Sequence, residues 1–205
     1  MPLFRRSAHH ARNGDRHVVV GLGNPGERYA RTRHNAGALT IGVLLERTGG
    51  TLKSHKSGCL VAEGSLGGTR VVLARPTSYM NESGRPVGAL LRWYKQPAGN
   101  LVVVHDELDI PFGEVRVKAG GGTAGHNGLG SIVGHIGTKE FARVRVGIGR
   151  PPGFKDAVGH VLEGFSAAER KELPFVLEAA ADAVEAVVTS GIERAMNEFN
   201  TRAKP

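Results

Sequence analysis

Gly21-Leu22-Gly23-Asn24-Pro25-Gly26 follows the apolar run His17-Val18-Val19-Val20, and Arg33-His34-Asn35-Ala36-Gly37 comes shortly after it. The unbroken apolar run reads as a buried strand. The glycine-rich hexapeptide then leaves the strand's C-terminal end carrying an amide side chain, with a histidine behind it. In open α/β sheets that edge is where ligands sit. Tyr79-Met80-Asn81, His105-Asp106-Glu107 and His126-Asn127-Gly128 supply matching chemistry further along. Asn, His and Asp without an evident Ser or Cys nucleophile point to water that is activated directly.

Working outward, strand and helix patterns alternate. Strands are expected over 17–22, 58–64, 69–74, 101–105, 114–118 and 143–148. Helices are expected over 36–47, 80–94, 127–136, 166–171, 174–189 and 192–199. Several strands are rich in Val and Leu and do not alternate, as expected where helices cover both faces of a sheet. Gly67-Gly68 joins two strands as a hairpin, so the sheet is mixed. The expected fold is a single-domain three-layer α/β/α sandwich with a mixed, mostly parallel twisted sheet. Arg150-Pro151-Pro152-Gly153 breaks regular structure, and a mobile surface loop is expected around 150–165. Glu178, Asp182 and Glu185 share one helix face and read as solvated. Trp93 and Tyr94 read as core.

The chain has 205 residues, 40% apolar and 22% charged, which suits one substantial globular domain, expected over 17–205. No apolar run is long enough to span a bilayer. One cysteine, Cys59, excludes an intrachain disulfide framework and a cysteine-cluster metal site. The net charge is +8, unevenly spread: residues 1–150 carry 21 basic and 10 acidic side chains, residues 151–205 carry 6 and 9. A basic body of pI near 10.1 suits a polyanion such as RNA; a soluble basic protein from an arginine-rich proteome is the alternative. Residues 1–16 lack the apolar core of a secretory signal and read as a basic disordered tail, with an organelle transit peptide as the alternative.

The hexapeptide matches the dinucleotide fingerprint G-x-G-x-x-G, but Pro25 removes an N–H from the loop that would cradle a pyrophosphate. Lys118-Ala119-Gly120-Gly121-Gly122-Thr123-Ala124-Gly125 lacks the Gly-Lys-[Ser/Thr] ending of a Walker loop. It reads as a wide turn or as a loop that lets a bulky substrate approach the backbone. Lys118 before it, with Arg143 and Arg145 after it, would suit a phosphate. No histidine pair has metal-ligand spacing. Asp106 ends a strand at the edge where His34 is placed, and a carboxylate that fixes a histidine's tautomer makes it a better base.

Taken together, Gly-Leu-Gly-Asn-Pro-Gly-x-x-Tyr, Arg-His-Asn-Ala-Gly, Tyr-Met-Asn-x-Ser-Gly, His-Asp-Glu-Leu-Asp and Gly-Gly-Gly-x-x-Gly-His-Asn-Gly-Leu resemble bacterial-type peptidyl-tRNA hydrolase over roughly residues 17–200. Thr123-Ala124 departs from some members. The resemblance implies hydrolysis of the ester joining a peptide to the 3′-terminal ribose of tRNA. It implies His34 as general base, Asp106 as its orienting carboxylate and Asn24 as the residue that reads the substrate's peptide amide. Asn35, Asn81 and Asn127 would bind peptide and ribose, and Tyr29, Tyr79 and Met80 would line the cleft. Lys118 and Arg145 would clamp the tRNA 5′-phosphate. The expectation is a cytoplasmic monomer acting on peptidyl-tRNA without metal, cofactor, membrane or obligate protein partner. The alternative is a non-catalytic RNA-binding protein on the same fold.

Overall fold

A computed structural model describes residues 16–151 and 156–201. At its centre lies β1 (His17–Gly21). Val18, Val19 and Val20 have no exposed surface. Side chains alternate across a strand, so an unbroken apolar run needs cover on both faces. Val19 packs into the layer of α1 (Ala36–Thr48), α5 (Ala167–Ser190) and α6 (Ile192–Asn200), among Ile41, Leu44, Val184 and Phe199. Val18 and Val20 pack into the opposite layer of α2 (Gly84–Tyr94) and α3 (Asn127–Ile136), among Val87, Leu90, Leu129 and Ile132.

Seven strands run in the order β2 (Lys53–His55), β3 (Cys59–Leu66), β4 (Thr69–Pro76), β1, β5 (Leu101–Glu107), β7 (Ala142–Gly147) and β6 (Val115–Ala119). β4, β1, β5 and β7 are parallel; β3 and β6 run against them, and β2 runs against β3. The three-layer mixed sandwich is the expected one. Gly67 (φ +51) and Gly68 (φ +82) turn the β3–β4 hairpin, since a two-residue turn with positive φ at both positions matches strand twist.

The elements differ from the sequence reading in several places. β2 was not expected: it is three polar residues without apolar alternation. The helix expected over 80–94 is a 3-10 turn, Met80–Glu82, followed by α2. The two helices expected over 166–171 and 174–189 are one, α5, with Pro174 inside it. Proline removes an interior hydrogen bond at a cost of about 3 kcal/mol, and the burial of Val176, Leu177, Ala180, Ala181 and Val184 beyond it offsets that cost. Within the loop expected around 150–165, residues Ala157–Leu162 form helix α4, while residues 152–155 lie outside the described residues. So do residues 1–15 of the expected basic tail; Arg16 at its end pairs with Glu63 at 2.9 Å. Glu178, Asp182 and Glu185 are exposed as expected, yet all three converge on Arg47. Trp93 is not core: it is half exposed, with the Lys56 ammonium 3.4 Å from its ring centroid, a cation–π contact.

Two glycines bring the first helix onto the sheet. A Cβ on Gly37 would stand 2.1 Å from the Val104 carbonyl oxygen and 2.7 Å from the Leu22 nitrogen. A Cβ on Gly21 would stand 2.2 Å from the Gly37 carbonyl oxygen. Backbone therefore meets backbone where β1, β5 and α1 converge, and the 3-10 turn Arg33–Asn35 is delivered to the C-terminal edge of the sheet. Gly37→Ala is expected to lower the unfolding free energy by at least about 2 kcal/mol, the upper range for overpacking. Urea unfolding measures it, as a lower midpoint at unchanged slope; a loss under about 0.5 kcal/mol would contradict the packing argument.

Candidate active site

The loop after β1, the Arg33–Asn35 turn, the end of β5 and the start of α3 meet at a cleft of about 520 Å³. Asn24, Tyr29, His34, Tyr79, Met80, Asn81, Asp106 and Asn127 all line it. Asn35, expected to bind substrate, does not. It is buried and spends its amide on the backbone of Asn24, donating Nδ2–H to the Asn24 carbonyl at 3.0 Å and accepting the Asn24 N–H at 2.8 Å. Asn35 thus shapes the loop that carries Asn24. The Asn24 side chain accepts the Met80 N–H through Oδ1 at 2.8 Å. That contact orients the amide, and its Nδ2 is left as the group free to donate.

Asp106 is the electrostatic centre. It is 3% exposed and accepts from His34 Nδ1 at 2.9 and 3.0 Å and from His126 Nε2 at 3.0 Å. Burial by itself pushes a carboxyl group's pKa up. The N–H groups that His126 and His34 point at the carboxylate outweigh that and hold Asp106 well below the usual carboxylate range. An ionised carboxylate only accepts, so both facing ring nitrogens carry protons. In its neutral form His34 therefore presents an unprotonated Nε2 on the ring edge away from Asp106. His126 is fixed the other way: its Nδ1 accepts from the Gly128 and Leu129 N–H groups at 3.1 and 3.4 Å as the N-cap of α3. The tautomers of both rings follow from their partners.

A third imidazole lies beneath. His105 is 1% exposed, donates Nδ1–H to the Asp106 carbonyl at 2.7 Å, and stands edge-to-face with His126 at 4.9 Å between centroids. Burial, with His126 nearby, pushes its pKa down to about 3, so it is neutral near pH 7. His126 was not among the residues singled out from the sequence, though it precedes Asn127 in a quoted motif. Among the described residues His34, Asp106 and His126 are the grouping that could gather a cation, with one ligand atom from each within 4.8 Å of the others. Their spacing is that of hydrogen bonds, with protons on the nitrogens that face the carboxylate.

The side chains of Asn81 and Asn127 make no hydrogen bond to protein among the described residues, which leaves their amides available in the cleft. Tyr79 is half exposed and stands edge-to-face with Tyr29 at 6.5 Å. Lys118 and Arg145 lie outside the cleft, on adjacent antiparallel strands. Lys118 is in register with Arg143, and Arg145 with Arg116. Four cations therefore project from one face of the β6–β7 edge. Arg143 is not free for a ligand: it is buried, and it donates to the carbonyls of Gly121 and Gly122, pinning the glycine loop. Arg145 retains partial exposure, with Glu107 3.9 Å away.

The depressed pKa of His105 makes stability depend on pH. In the unfolded chain a histidine titrates near 6.5. Between that value and about 3 the unfolded state binds a proton that the folded state refuses, so stability falls as pH falls through this window. One full proton corresponds to ~1.4 kcal/mol per pH unit. His105→Asn keeps a donor for the Asp106 carbonyl and removes the titration. Its stability between pH 6 and pH 4 should fall less steeply than the parent's, by up to one proton; chemical unfolding across that range measures it, and identical slopes would contradict the assignment.

The peptidyl-tRNA hydrolase family model matches residues 18–205. A peptidyl-tRNA hydrolase of Frankia alni is 56% identical over 183 residues, covering 89% of this chain and 93% of that one. One from Mycolicibacterium vanbaalenii is 57% identical over 181 residues, covering 88% and 94%. The crystal structure of peptidyl-tRNA hydrolase from Acinetobacter baumannii superposes with a TM-score of 0.84 at 38% identity, covering 91% of this chain and 95% of that chain. With a family model matched along nearly all of its length, and relatives above half identity, the chain belongs to the peptidyl-tRNA hydrolase family.

Proposed function

We infer that the chain hydrolyses the ester between the peptide and the 3′-terminal ribose of peptidyl-tRNA, with His34 as general base on water. The observation that carries this is the His34–Asp106 pair: two hydrogen-bond distances of 2.9 and 3.0 Å fix the ring with Nδ1 protonated and Nε2 free at the cleft. Water gives a proton to Nε2 as its oxygen bonds to the ester carbonyl carbon, and the carbonyl electrons move onto oxygen. Asp106 stabilises the imidazolium that forms. The Nδ2–H groups of Asn24 and Asn127 donate to the oxyanion. The carbonyl re-forms, the C–O bond to the ribose breaks, and the departing oxygen takes the proton back from Nε2. Peptide acid and free tRNA result. An ester has a good enough leaving group for a histidine-activated water to complete this step.

Tyr29, Tyr79, Met80 and Asn81 bind the peptidyl part and the terminal nucleoside, and Lys118 and Arg145 hold a tRNA phosphate. RNA bound through phosphates and shape needs positive charge rather than base-reading motifs, in keeping with the basic body of the chain. All of these groups come from one chain, which supports a monomer with one catalytic domain over 17–205 behind a basic tail, and no obligate protein partner. Its substrate arises where translation occurs, which supports the cytoplasm. No helix among the described residues is long and apolar enough to cross a membrane. No observation favours a non-catalytic RNA-binding role.

The test is release of N-acetyl-aminoacyl groups from tRNA at substoichiometric protein. His34→Ala is expected to fold and to lose ~10²–10⁴-fold in turnover, the usual worth of a general base; a purified variant near parental activity would remove His34 from the mechanism. Asn24→Asp is nearly isosteric and keeps an acceptor for the Met80 N–H, but it replaces the Nδ2 donor with negative charge. It should slow N-acetyl-aminoacyl-tRNA cleavage, because it opposes the oxyanion, and admit free aminoacyl-tRNA, whose ammonium it can pair. The ratio of kcat/KM for the two substrates measures this; a ratio within twofold of the parent's would show that Asn24 does not discriminate.

A further inference from the structure

His34 and Arg33 are neighbours on one 3-10 turn, but they serve different surroundings. His34 lines the cleft, while the Arg33 side chain, 7% exposed, enters a junction between α4 and the start of α5. Its Nη2 donates to Glu169 Oε2 at 2.7 Å and its Nη1 to the His160 carbonyl at 3.4 Å. The Glu163 carboxylate lies 3.9 Å away, and the guanidinium stands 5.7 Å from the Phe165 ring centroid. The backbone adds to the clasp, with the Arg33 N–H donating to the Glu163 carbonyl at 3.0 Å and Thr32 bridging to Gly164. Glu169 is itself fixed: it accepts the Ser166 N–H at 2.6 Å and closes the capping box of α5.

The helix held this way has little else to hold it. α4 is six residues long and contains no buried residue, and isolated helices of that length do not persist in water. Val161 alone reaches the core, and only partly. His160 Nε2 adds one bond, to the Gly149 carbonyl at 3.1 Å. Yet α4 forms a wall of the cleft with Ala157, Val158, Val161 and Leu162. That wall is entirely apolar, and Val158 and Leu162 remain 64% and 40% exposed. Exposed apolar side chains grouped in a concave site suit an apolar ligand group.

We propose that Arg33 is a positioning residue that holds the α4 wall against the turn carrying His34, so that the wall receives apolar side chains of the peptide. The proposal rests on the cleft being the peptidyl-tRNA site. A guanidinium serves the several acceptors of this junction at once, whereas an ammonium offers a single point charge. Loosening the wall therefore costs binding of a large apolar acyl group and spares one that never touches it.

The test compares N-acetylphenylalanyl-tRNA with N-acetylglycyl-tRNA. Arg33→Lys is expected to lower kcat/KM for the phenylalanyl substrate about 10-fold, chiefly through KM, and for the glycyl substrate less than about 3-fold; losses of this size fit an apolar contact. A merely structural role would lower Tm and depress both substrates alike, and equal losses or no loss would overturn the proposal. If Arg33→Lys does not fold, Leu162→Ser tests the wall from its exposed face. The same selective loss supports the proposal, and an unchanged phenylalanyl-to-glycyl ratio overturns it. Failure of the parent protein to release either acyl group would overturn the functional reading and this proposal with it; release of both by the parent, with no selectivity change in either variant, would overturn the proposal alone.

Discussion

The buried charge of Asp106 is the constraint on which the rest of the site depends. A carboxylate 3% exposed is costly unless it is paired and hydrogen-bonded. Here two imidazole N–H groups face it, one from the turn before α1 and one from the start of α3. Because the carboxylate accepts from both, it sets which nitrogen of the neutral His34 ring carries a proton and which is left bare. His126 cannot exchange roles with His34, because its other nitrogen is committed to the backbone amides of α3. His105 stays neutral below, so the negative charge is not countered by a fixed cation there.

Those partners meet because backbone approaches backbone. Gly21 and Gly37 leave no room for a Cβ between β1, β5 and α1, and that closeness seats His34 beside the end of β5. Asn35 extends the same logic by one residue, since both ends of its amide grip Asn24. Asn24 in turn is aimed by Met80. The loops that carry the chemistry are thus tied to one another before any substrate arrives, and preorganised donors of this kind need no reorganisation during reaction.

Much of this was legible in the sequence, and the part that was not has physical reasons. The unbroken Val18-Val19-Val20 run announced a strand covered on both faces, and the residues after it fell at the sheet's C-terminal edge. The strands read from their apolar runs placed His34 and Asp106 at one sheet edge, and the family resemblance paired them. Asn35 was misplaced because an amide beside a cleft histidine looks the same in sequence whether it faces substrate or backbone. His126 was passed over because it sits in a glycine-rich loop just before a helix, where nothing in the sequence shows that its ring faces the Asp106 carboxylate rather than solvent. Helix α4 repeats apolar residues at 157, 158, 161 and 162 but is only six residues long and contains no buried residue, too short a run for periodicity to mark a helix. The gap expected between helices 166–171 and 174–189 does not exist, because packing beyond Pro174 carries α5 through. Trp93 looked like core because its size suggests burial, while Lys56 covers it from outside.

The central claim is that Asp106 sets the tautomers of the two facing histidines. Nitrogen-15 NMR of the histidine rings, recorded where the rings are neutral, reads this directly. The account predicts His34 protonated on Nδ1 with Nε2 bare, and His126 protonated on Nε2 with Nδ1 bare. A His34 ring carrying its proton on Nε2 would leave no base at the cleft and would contradict the account.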